Sequence, residues 1–319
     1  MTTKKDIAAG HLLALFTVTI WGTTFISTKI LLRDFSPVEV LFIRFFIALI
    51  ALSIAYPHRL KVTNRKHEWY FAAAGLLGTV LYFLLENIAL TYSTASDVGV
   101  IISVIPFFTA IFSYFFNKEK LNARFFLGFV IAMAGIVLIS LNGREMKLNP
   151  LGDILTILAA MVWALYSVLV KKISRFEYNT IQTTRRIFLY GVILMIPTMK
   201  IFQVQWDAAR FARLLETTNL LNVLYLGLCA SAICFVTWNL AVKSLGAVKT
   251  SIYTYLGPVI TIIASAIFLQ EQITALIVGG TALTLIGLVI SQNPFSWGIG
   301  QKISRKSGRR AEVKEDAAK

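Results

Sequence analysis

The chain has 319 residues, of which 57% are hydrophobic and only 15% are charged, and its formal net charge is +15. A soluble domain of this length needs a more charged surface, so the composition excludes an ordinary soluble protein. In a membrane protein, an excess of Lys and Arg marks loops that face anionic lipid. We favour this interpretation of the charge over a nucleic-acid partner.

The apolar residues fall into runs of about twenty, the length at which a helix crosses the hydrocarbon core. We predict an all-α integral membrane protein with ten transmembrane helices. The predicted helices cover residues 12–32, 37–56, 69–91, 96–116, 122–141, 152–172, 180–200, 219–242, 248–269 and 273–292. The longest connection, at 201–218, has amphipathic spacing and is predicted to lie at the membrane interface.

The first apolar run is interpreted as a helix and not as a signal peptide, because it is too long and lacks a small-residue cleavage site. Lys and Arg residues concentrate in the loops on one side of the predicted helices. This asymmetry predicts that the N-terminal segment 1–11 and the basic tail 293–319 are both cytoplasmic. The expected location is the inner or plasma membrane.

The chain contains an internal repeat, which we place at 12–147 and 148–292. Residues 21–29 resemble residues 163–171, which follow 142 positions later. Farther along the chain the offset is 152. Across both regions the recurring pairs are Trp21 and Trp163, Arg44 and Arg186, Asn87 and Asn239, Pro106 and Pro258, Glu119 and Glu271, Gly128 and Gly280, and Gly135 and Gly287.

Each repeat holds five predicted helices, and five is an odd number. The second repeat must therefore enter the bilayer from the side opposite to the first. Two such units are related by a pseudo-two-fold axis in the membrane plane, an arrangement typical of carriers with a substrate site near the midplane and alternating access. We predict two inverted five-helix repeats.

These motifs resemble those of the drug/metabolite transporter superfamily, and within it the EamA-type ten-helix carriers. The motif residues are Trp21, Gly22, Phe25, Arg44, the Asn-x-Ala elements at 87–89 and 239–241, and the proline, glutamate and glycine pairs given above. The resemblance implies transport of small polar metabolites, often amino acids. It also implies a central cavity lined mainly by helices 1, 3, 4, 6, 8 and 9.

Glu86 is the acidic residue that we place well inside a predicted helix. A carboxylate in hydrocarbon is costly, so it is expected to face protein or water. It is either a proton-coupling or substrate-amine site, or a solvated residue near the outer mouth of the helix. Its equivalent in the second repeat is Trp238, so its role is not duplicated.

Two duplicated polar pairs each have two interpretations. Asn87 and Asn239 either bridge helices or bind a zwitterion through an amide that both donates and accepts. Arg44 and Arg186 either capture an anion or act as paired arginines that hold the fold. We favour the structural interpretation of both pairs, because both repeats contain them.

Pro106 and Pro258 lie in the middle of predicted helices. Each removes a backbone donor and clashes with the carbonyl four residues earlier, so each predicts a bend beside the transport pathway and a candidate hinge. Glu119 and Glu271 end the same helices and are expected to cap the helix that follows each of them.

Several aromatic residues deep in the predicted helices are expected to line the cavity, with apolar walls and polar edges. With Glu86, Asn87 and Asn239 they form the predicted cavity lining: Trp21, Tyr82, Trp163, Tyr166, Trp238 and Tyr253. Lys29 and Lys171 are expected at the membrane interface. No His or Cys cluster has metal-ligand spacing, so neither a metal site nor a cofactor is predicted.

The sequence predicts a secondary active transporter for a small polar metabolite, an amino acid or related compound, moved by export and alternating access with possible proton coupling through Glu86. A drug or amine carrier, or a nucleoside or sugar efflux carrier, is the alternative. A scaffold, a channel and an intramembrane enzyme are less favoured, and no phosphate-binding loop is present. The expected partners are the substrate, anionic lipids and protons, and the expected assembly is a monomer or homodimer.

Overall fold

The computed structural model describes residues 4–117, 123–140 and 150–292. These residues form ten long helices, labelled α1 to α10 in chain order, and one short surface helix, Ala208–Leu215. The long helices are α1 Lys4–Leu31, α2 Pro37–Ala55, α3 Lys66–Tyr92, α4 Ala95–Ile102 with Ile105–Asn117, α5 Ala123–Ser140, α6 Pro150–Ser174, α7 Thr180–Ile201, α8 Thr217–Leu245, α9 Ala247–Phe268 and α10 Ala275–Gln292.

Within the described residues, seven helices are long and apolar enough to cross a membrane, namely α1, α2, α3, α4, α6, α8 and α9. α5 and α10 contain shorter apolar stretches, Phe126–Gly135 and Ala275–Gly287. α7 has 22 residues and carries three basic side chains, Arg185, Arg186 and Lys200. The prediction of an all-α, ten-helix membrane fold is confirmed.

Local capping explains where the helices begin. At the start of α2, Ser36 Oγ accepts a hydrogen bond from the Glu39 amide at 3.3 Å, and the Glu39 carboxylate accepts one from the Ser36 amide at 2.7 Å. This reciprocal pair satisfies two helix-end donors. Thr94 acts similarly at the start of α4, where its hydroxyl accepts from the Asp97 amide at 3.0 Å.

The helix contacts of one half recur in the other half with the partners exchanged. α1 packs against α8 and α9, and its repeat equivalent α6 packs against α3 and α4. α2 packs against α8 just as α7 packs against α3, while α5 and α10 pack against each other. Helices of each repeat therefore pack against helices of the other repeat, and the core lies where α1, α3, α6 and α8 meet.

α5 and α10 approach each other closely through glycines. A Cβ atom added at Gly135 would lie 2.6 Å from the carbonyl oxygen of Gly280, and one added at Gly287 would lie 2.5 Å from the carbonyl oxygen of Gly128. Small residues at such positions allow helix backbones to approach in a membrane. The recurring glycines therefore pack these two helices together within one chain.

Two equivalent helices contain a π-helical stretch. The stretch is Leu76–Leu81 in α3 and Tyr225–Ile233 in α8. Gly75 precedes the first stretch, and a Cβ atom added there would lie 2.7 Å from the carbonyl oxygen of Ile187. Gly227 lies within the second stretch, and a Cβ atom added there would lie 2.7 Å from Ile47. Such stretches release backbone groups from the regular ladder and often occur at functional sites.

The other equivalent pair, α4 and α9, is interrupted just before a proline. In α4 the first helical stretch ends at Ile102 and the second begins at Ile105, immediately before Pro106. In α9 a 3₁₀ stretch covers Ile252–Leu256, ahead of Pro258. In a regular helix the proline ring clashes with the backbone carbonyl four residues earlier. This clash explains why both irregularities lie just before a proline.

The short helix Ala208–Leu215 is fixed to the turn between α1 and α2. Arg213 forms an ion pair with Asp34 at 2.6 Å, and Asn219 donates to the same carboxylate at 3.1 Å. The hydrogen bond from Asn219 and the charge of Arg213 hold the pKa of Asp34 below its usual range. Phe211 and Leu215 on this helix are exposed, as expected for a helix that contacts lipid headgroups.

Candidate functional site

A cavity of about 50 Å³ lies between α1, α3, α4, α6 and α9, with one residue from α2. This volume is far below the roughly 300–1,000 Å³ of typical small-molecule pockets. Its lining residues are Val18, Trp21, Gly22, Thr24, Phe25, Arg44, Tyr82, Phe83, Glu86, Ile102, Ile105, Trp163, Thr254 and Gly257.

Aromatic rings form one wall of the cavity. Trp21 meets Trp163 edge to face, with ring centroids 5.2 Å apart and an interplanar angle of 86°. Tyr82 lies 4.7 Å from Trp163, and Trp238 lies 5.0 Å from Trp21. The Trp21 indole donates to the carbonyl oxygen of Ala230 at 2.8 Å, within the π-helical stretch of α8, so the irregular backbone orients this ring.

Glu86 faces this cavity from α3 and is only 1% exposed. Tyr82 lies one helical turn before it and lines the same cavity. Among the described residues, the Oε1 atom of Glu86 has no hydrogen-bond partner. An unsatisfied buried carboxylate oxygen is costly, and such groups in a membrane mark functional sites.

Arg44 faces the same cavity from α2 and is 2% exposed. Its Nε atom donates to Ser231 Oγ at 2.6 Å, and its guanidinium carbon lies 4.2 Å from the centroid of the Phe83 ring. Within the described part of the chain, Arg44 and Glu86 line the same cavity without a direct ion pair between them. A basic and an acidic side chain therefore face one mostly apolar cavity without direct contact between them.

Arg186, the repeat equivalent of Arg44, lies elsewhere. Its Nη2 and Nε atoms donate to the Glu68 carboxylate at 2.6 and 3.0 Å, and Tyr190 donates to the same carboxylate at 2.8 Å. This cluster is partly exposed and does not line the cavity. The two duplicated arginines thus occupy different environments.

The two asparagines bridge helices outside the cavity lining. Asn87 donates to the carbonyl oxygen of Pro37 at 3.0 Å and so joins α3 to α2. Asn239 donates to Thr184 Oγ1 at 3.0 Å and accepts from the Tyr166 hydroxyl at 3.1 Å. Asn239 and Tyr166 therefore join α8 to α7 and α6.

Two further predicted residues lie apart from the cavity lining. The Tyr253 hydroxyl hydrogen-bonds His11 Nδ1 at 2.6 Å, near the beginning of α1. Trp238 is fully buried behind Trp21, and its indole nitrogen has no hydrogen-bond partner among the described residues. Pro106 and Pro258 lie beside the lining, immediately after Ile105 and Gly257.

Sequence reasoning named Gly22 and Phe25 as motif residues, but it did not single out the lining residues Thr24 on α1 and Thr254 on α9. Thr24 and Phe25 follow Trp21 by three and four positions, so helical periodicity places them on the same face. Gly22 allows α9 to approach, because a Cβ atom added there would lie 2.7 Å from Ile260. Thr254 lies in the 3₁₀ stretch of α9, whose direction no sequence pattern indicated.

The profile of the EamA-like transporter family matches residues 8–141 and 150–292, which together cover most of the chain. The chain belongs to the EamA-like transporter family. The predicted resemblance is therefore confirmed, and the protein is a multi-pass membrane transporter of the drug/metabolite type.

Named relatives cover nearly the whole chain. An uncharacterized transporter of Archaeoglobus fulgidus is 27% identical, over 88% of this chain and 96% of the relative. A "probable amino-acid metabolite efflux pump" of Escherichia coli is 24% identical, over 89% and 95% of the two chains. A "probable terminal-alkyne amino-acid exporter" of Streptantibioticus cattleyicolor is 23% identical, over 86% and 90%.

A solved crystal structure of a protein has the same fold. It superposes with a TM-score of 0.66 and covers 90% of this chain and 98% of its own, at 19% identity. At this identity the likeness supports the fold alone.

Proposed function

We propose that the protein is a secondary active transporter that exports an amino acid or a related zwitterion across the inner or plasma membrane. The observation that carries the proposal is the charge arrangement in the cavity, where Arg44 and Glu86 are buried and not ion-paired with each other. A zwitterion brings both complementary charges at short separation, so it neutralises both groups at once. Two relatives are named as amino-acid exporters, which supports the same substrate class.

In this proposal, the substrate carboxylate binds the guanidinium of Arg44, whose Nε atom is already held by Ser231. The substrate ammonium binds Glu86 beside the rings of Trp21 and Trp163, whose π faces attract cations. The apolar part of the substrate packs against the same aromatic wall.

Proton coupling follows from competition at Glu86. The carboxylate holds either the substrate ammonium or a proton, and a carrier in which the two exclude each other exchanges them across the membrane. Burial of the carboxylate among apolar side chains makes the empty, unprotonated state costly. Glu86→Gln is expected to abolish acceleration of export by a pH gradient.

Transport by alternating access requires the two repeats to be inverted and the cavity to open to each side in turn. The exchange of helix contacts between the halves supports this arrangement. The interruptions before Pro106 and Pro258 border the cavity and are the proposed hinges. With both termini cytoplasmic, Gly10 and Lys171 lie at the inner end and Lys29 at the outer end.

Efflux of a simple amine is the second candidate. The aromatic wall and Glu86 suit an ammonium group without a carboxylate. The buried guanidinium of Arg44 disfavours such a cation, because like charges repel in a cavity that excludes water. Arg44 is therefore the residue that distinguishes the two candidates.

The test is a thermal-shift screen of purified protein against amino acids, amines, nucleosides and sugars, followed by flux assays in liposomes. A zwitterion carrier is stabilised by amino acids, and Arg44→Gln loses this stabilisation while Arg186→Gln retains it. Stabilisation by amines that persists in Arg44→Gln supports the second candidate. Stabilisation by nucleosides or sugars alone contradicts both.

A further inference from the structure

Lys29, at the end of α1, binds the end of α3. Its Nζ atom donates to the carbonyl oxygen of Leu90 at 2.7 Å and to that of Ser93 at 2.5 Å. The last carbonyls of a helix lack partners within the helix, and positive charge is favourable there. The charge of Lys29, which the sequence predicts at the membrane interface, is therefore bound to the carbonyls that end α3.

Glu271, just after α9, binds the adjacent start of α4. Its carboxylate accepts from the backbone amides of Ala95 at 2.9 Å and Ser96 at 3.2 Å, and from Ser96 Oγ at 2.7 Å. A carboxylate at a helix start satisfies unpaired amides and complements the helix dipole. The expectation that Glu271 caps the helix that follows it is wrong, and Glu119 lies outside the described residues.

Gly152, near the start of α6, packs against the same place. A Cβ atom added at Gly152 would lie 3.2 Å from Tyr92 Cβ and would overlap Ser93 Oγ. The turn between α3 and α4 is thus held by three other helices. We call Lys29, Gly152 and Glu271 the first latch.

The turn between α8 and α9 is held in the equivalent way. Lys171 Nζ donates to the carbonyl oxygens of Val242 at 3.4 Å and Lys243 at 3.0 Å. A Cβ atom added at Gly10 would lie 3.0 Å from the Leu245 side chain. We call Gly10 and Lys171 the second latch, and Lys171, like Lys29, binds the carbonyls at the end of a helix.

The two latches contain residues that are equivalent in the internal repeat. Lys171 follows Lys29, and Gly152 follows Gly10, by the same 142 positions that separate the tryptophans of the repeat. They lie at opposite ends of the helices that line the cavity. They differ in tightness, since the bonds of Lys29 are 2.5 and 2.7 Å long and those of Lys171 are 3.0 and 3.4 Å.

We propose that the two latches are released in alternation, so that Lys29 with Glu271 closes the outer end of the pathway and Lys171 closes the inner end. The proposal rests on the alternating access proposed above. These residues touch no substrate and act by positioning the α3–α4 and α8–α9 turns.

The test measures access to the cavity from each side. Ile102 lines the cavity, so Ile102→Cys is introduced after Cys229 and Cys234 are replaced by Ala, and a membrane-impermeant thiol reagent is applied to right-side-out and inverted vesicles. Lys29→Gln is expected to raise the labelling rate from outside by roughly tenfold and to lower it from inside. Lys171→Gln is expected to shift both rates in the opposite directions.

The controls separate gating from a structural role. Lys172→Gln removes a neighbouring lysine that stacks over Tyr70 at 4.7 Å, and it should leave both rates unchanged. Lys29→Arg keeps the charge and the donors and should restore the original rates, and Glu271→Gln should act in the same direction as Lys29→Gln. Equal shifts from both sides, or no shift in either lysine variant, overturn the proposal.

The labelling result is independent of the transport result. Opposite shifts in a protein that carries no amino acid leave the latches in place and reject the proposed substrate. Saturable amino-acid export with unchanged labelling rejects the latches and leaves the proposed function in place.

Discussion

The electrostatic coupling between Arg44 and Glu86 can be measured with a double-mutant cycle. At alkaline pH, where the Glu86 carboxylate is ionised, Arg44→Gln and Glu86→Gln each leave one buried charge without its opposite, whereas the double variant removes both. No ion pair closer than 4.0 Å joins them in the described residues, so their attraction is below about 4 kcal/mol, the value for two charges 4 Å apart at an effective dielectric constant of 20. We expect each single variant to lose about 2–3 kcal/mol of unfolding free energy.

The expected coupling energy is about 1–2 kcal/mol, so the double variant is less destabilised than the sum of the single variants. The assay is reversible unfolding in mixed micelles, followed by tryptophan fluorescence. Arg186 and Glu68 provide the matched control, because their ion pair at 2.6 Å has side chains that are 35% and 24% exposed. Partial exposure limits that control to below about 1 kcal/mol.

Additive effects of Arg44→Gln and Glu86→Gln, within about 0.5 kcal/mol, refute the reasoning. In that case the two side chains do not interact across the cavity that both of them line. The zwitterion proposal then loses the observation that carries it.

Three further predictions concern packing, pH and the aromatic wall. Gly287→Ala forces α5 and α10 apart and should cost about 1–3 kcal/mol of unfolding free energy. The control is Gly279→Ala, whose added Cβ would lie 3.8 Å from Leu138 among the described residues, and it should be neutral in the same unfolding assay. Asp34 has a lowered pKa, so its stabilising effect is present at neutral pH and lost in acid. The stability difference between wild type and Asp34→Asn, below about 1 kcal/mol, should therefore disappear as the pH falls through the carboxyl range, and a constant difference contradicts this. Trp21→Phe, which loses the hydrogen bond from the indole to the carbonyl oxygen of Ala230, should cost about 0.5–1.5 kcal/mol, and an unchanged unfolding midpoint contradicts the assigned bond.

The sequence predicted the ten helices because hydrocarbon thickness fixes the length of an apolar run. It also predicted where α4 and α9 depart from regular helix, since Pro106 and Pro258 impose that change locally. The π-helical stretches in α3 and α8 were not predictable, because their residues have ordinary helical propensity and tertiary contacts select the wider turn.

The site was harder to predict because a repeat in sequence does not impose equal roles. Arg44 and Arg186 are equivalent in the repeat, yet of the two only Arg186 has a carboxylate partner among the described residues, namely Glu68 near the beginning of α3. The position equivalent to Glu68 in the second repeat is Leu220, which cannot pair with an arginine. This substitution is the feature of the sequence that indicates different environments for Arg44 and Arg186. The partners of Lys29 and Glu271 were not predicted, because hydropathy does not reveal the unpaired backbone groups at the ends of other helices.

The most direct test of the central claim is counterflow in proteoliposomes. Vesicles loaded with an unlabelled amino acid that stabilises the protein should take up the labelled amino acid transiently and saturably, above its equilibrium level. Arg44→Gln should abolish this uptake, while Arg186→Gln should retain it. Uptake that does not saturate, or that is unaffected by internal amino acid, contradicts a zwitterion carrier that works by alternating access.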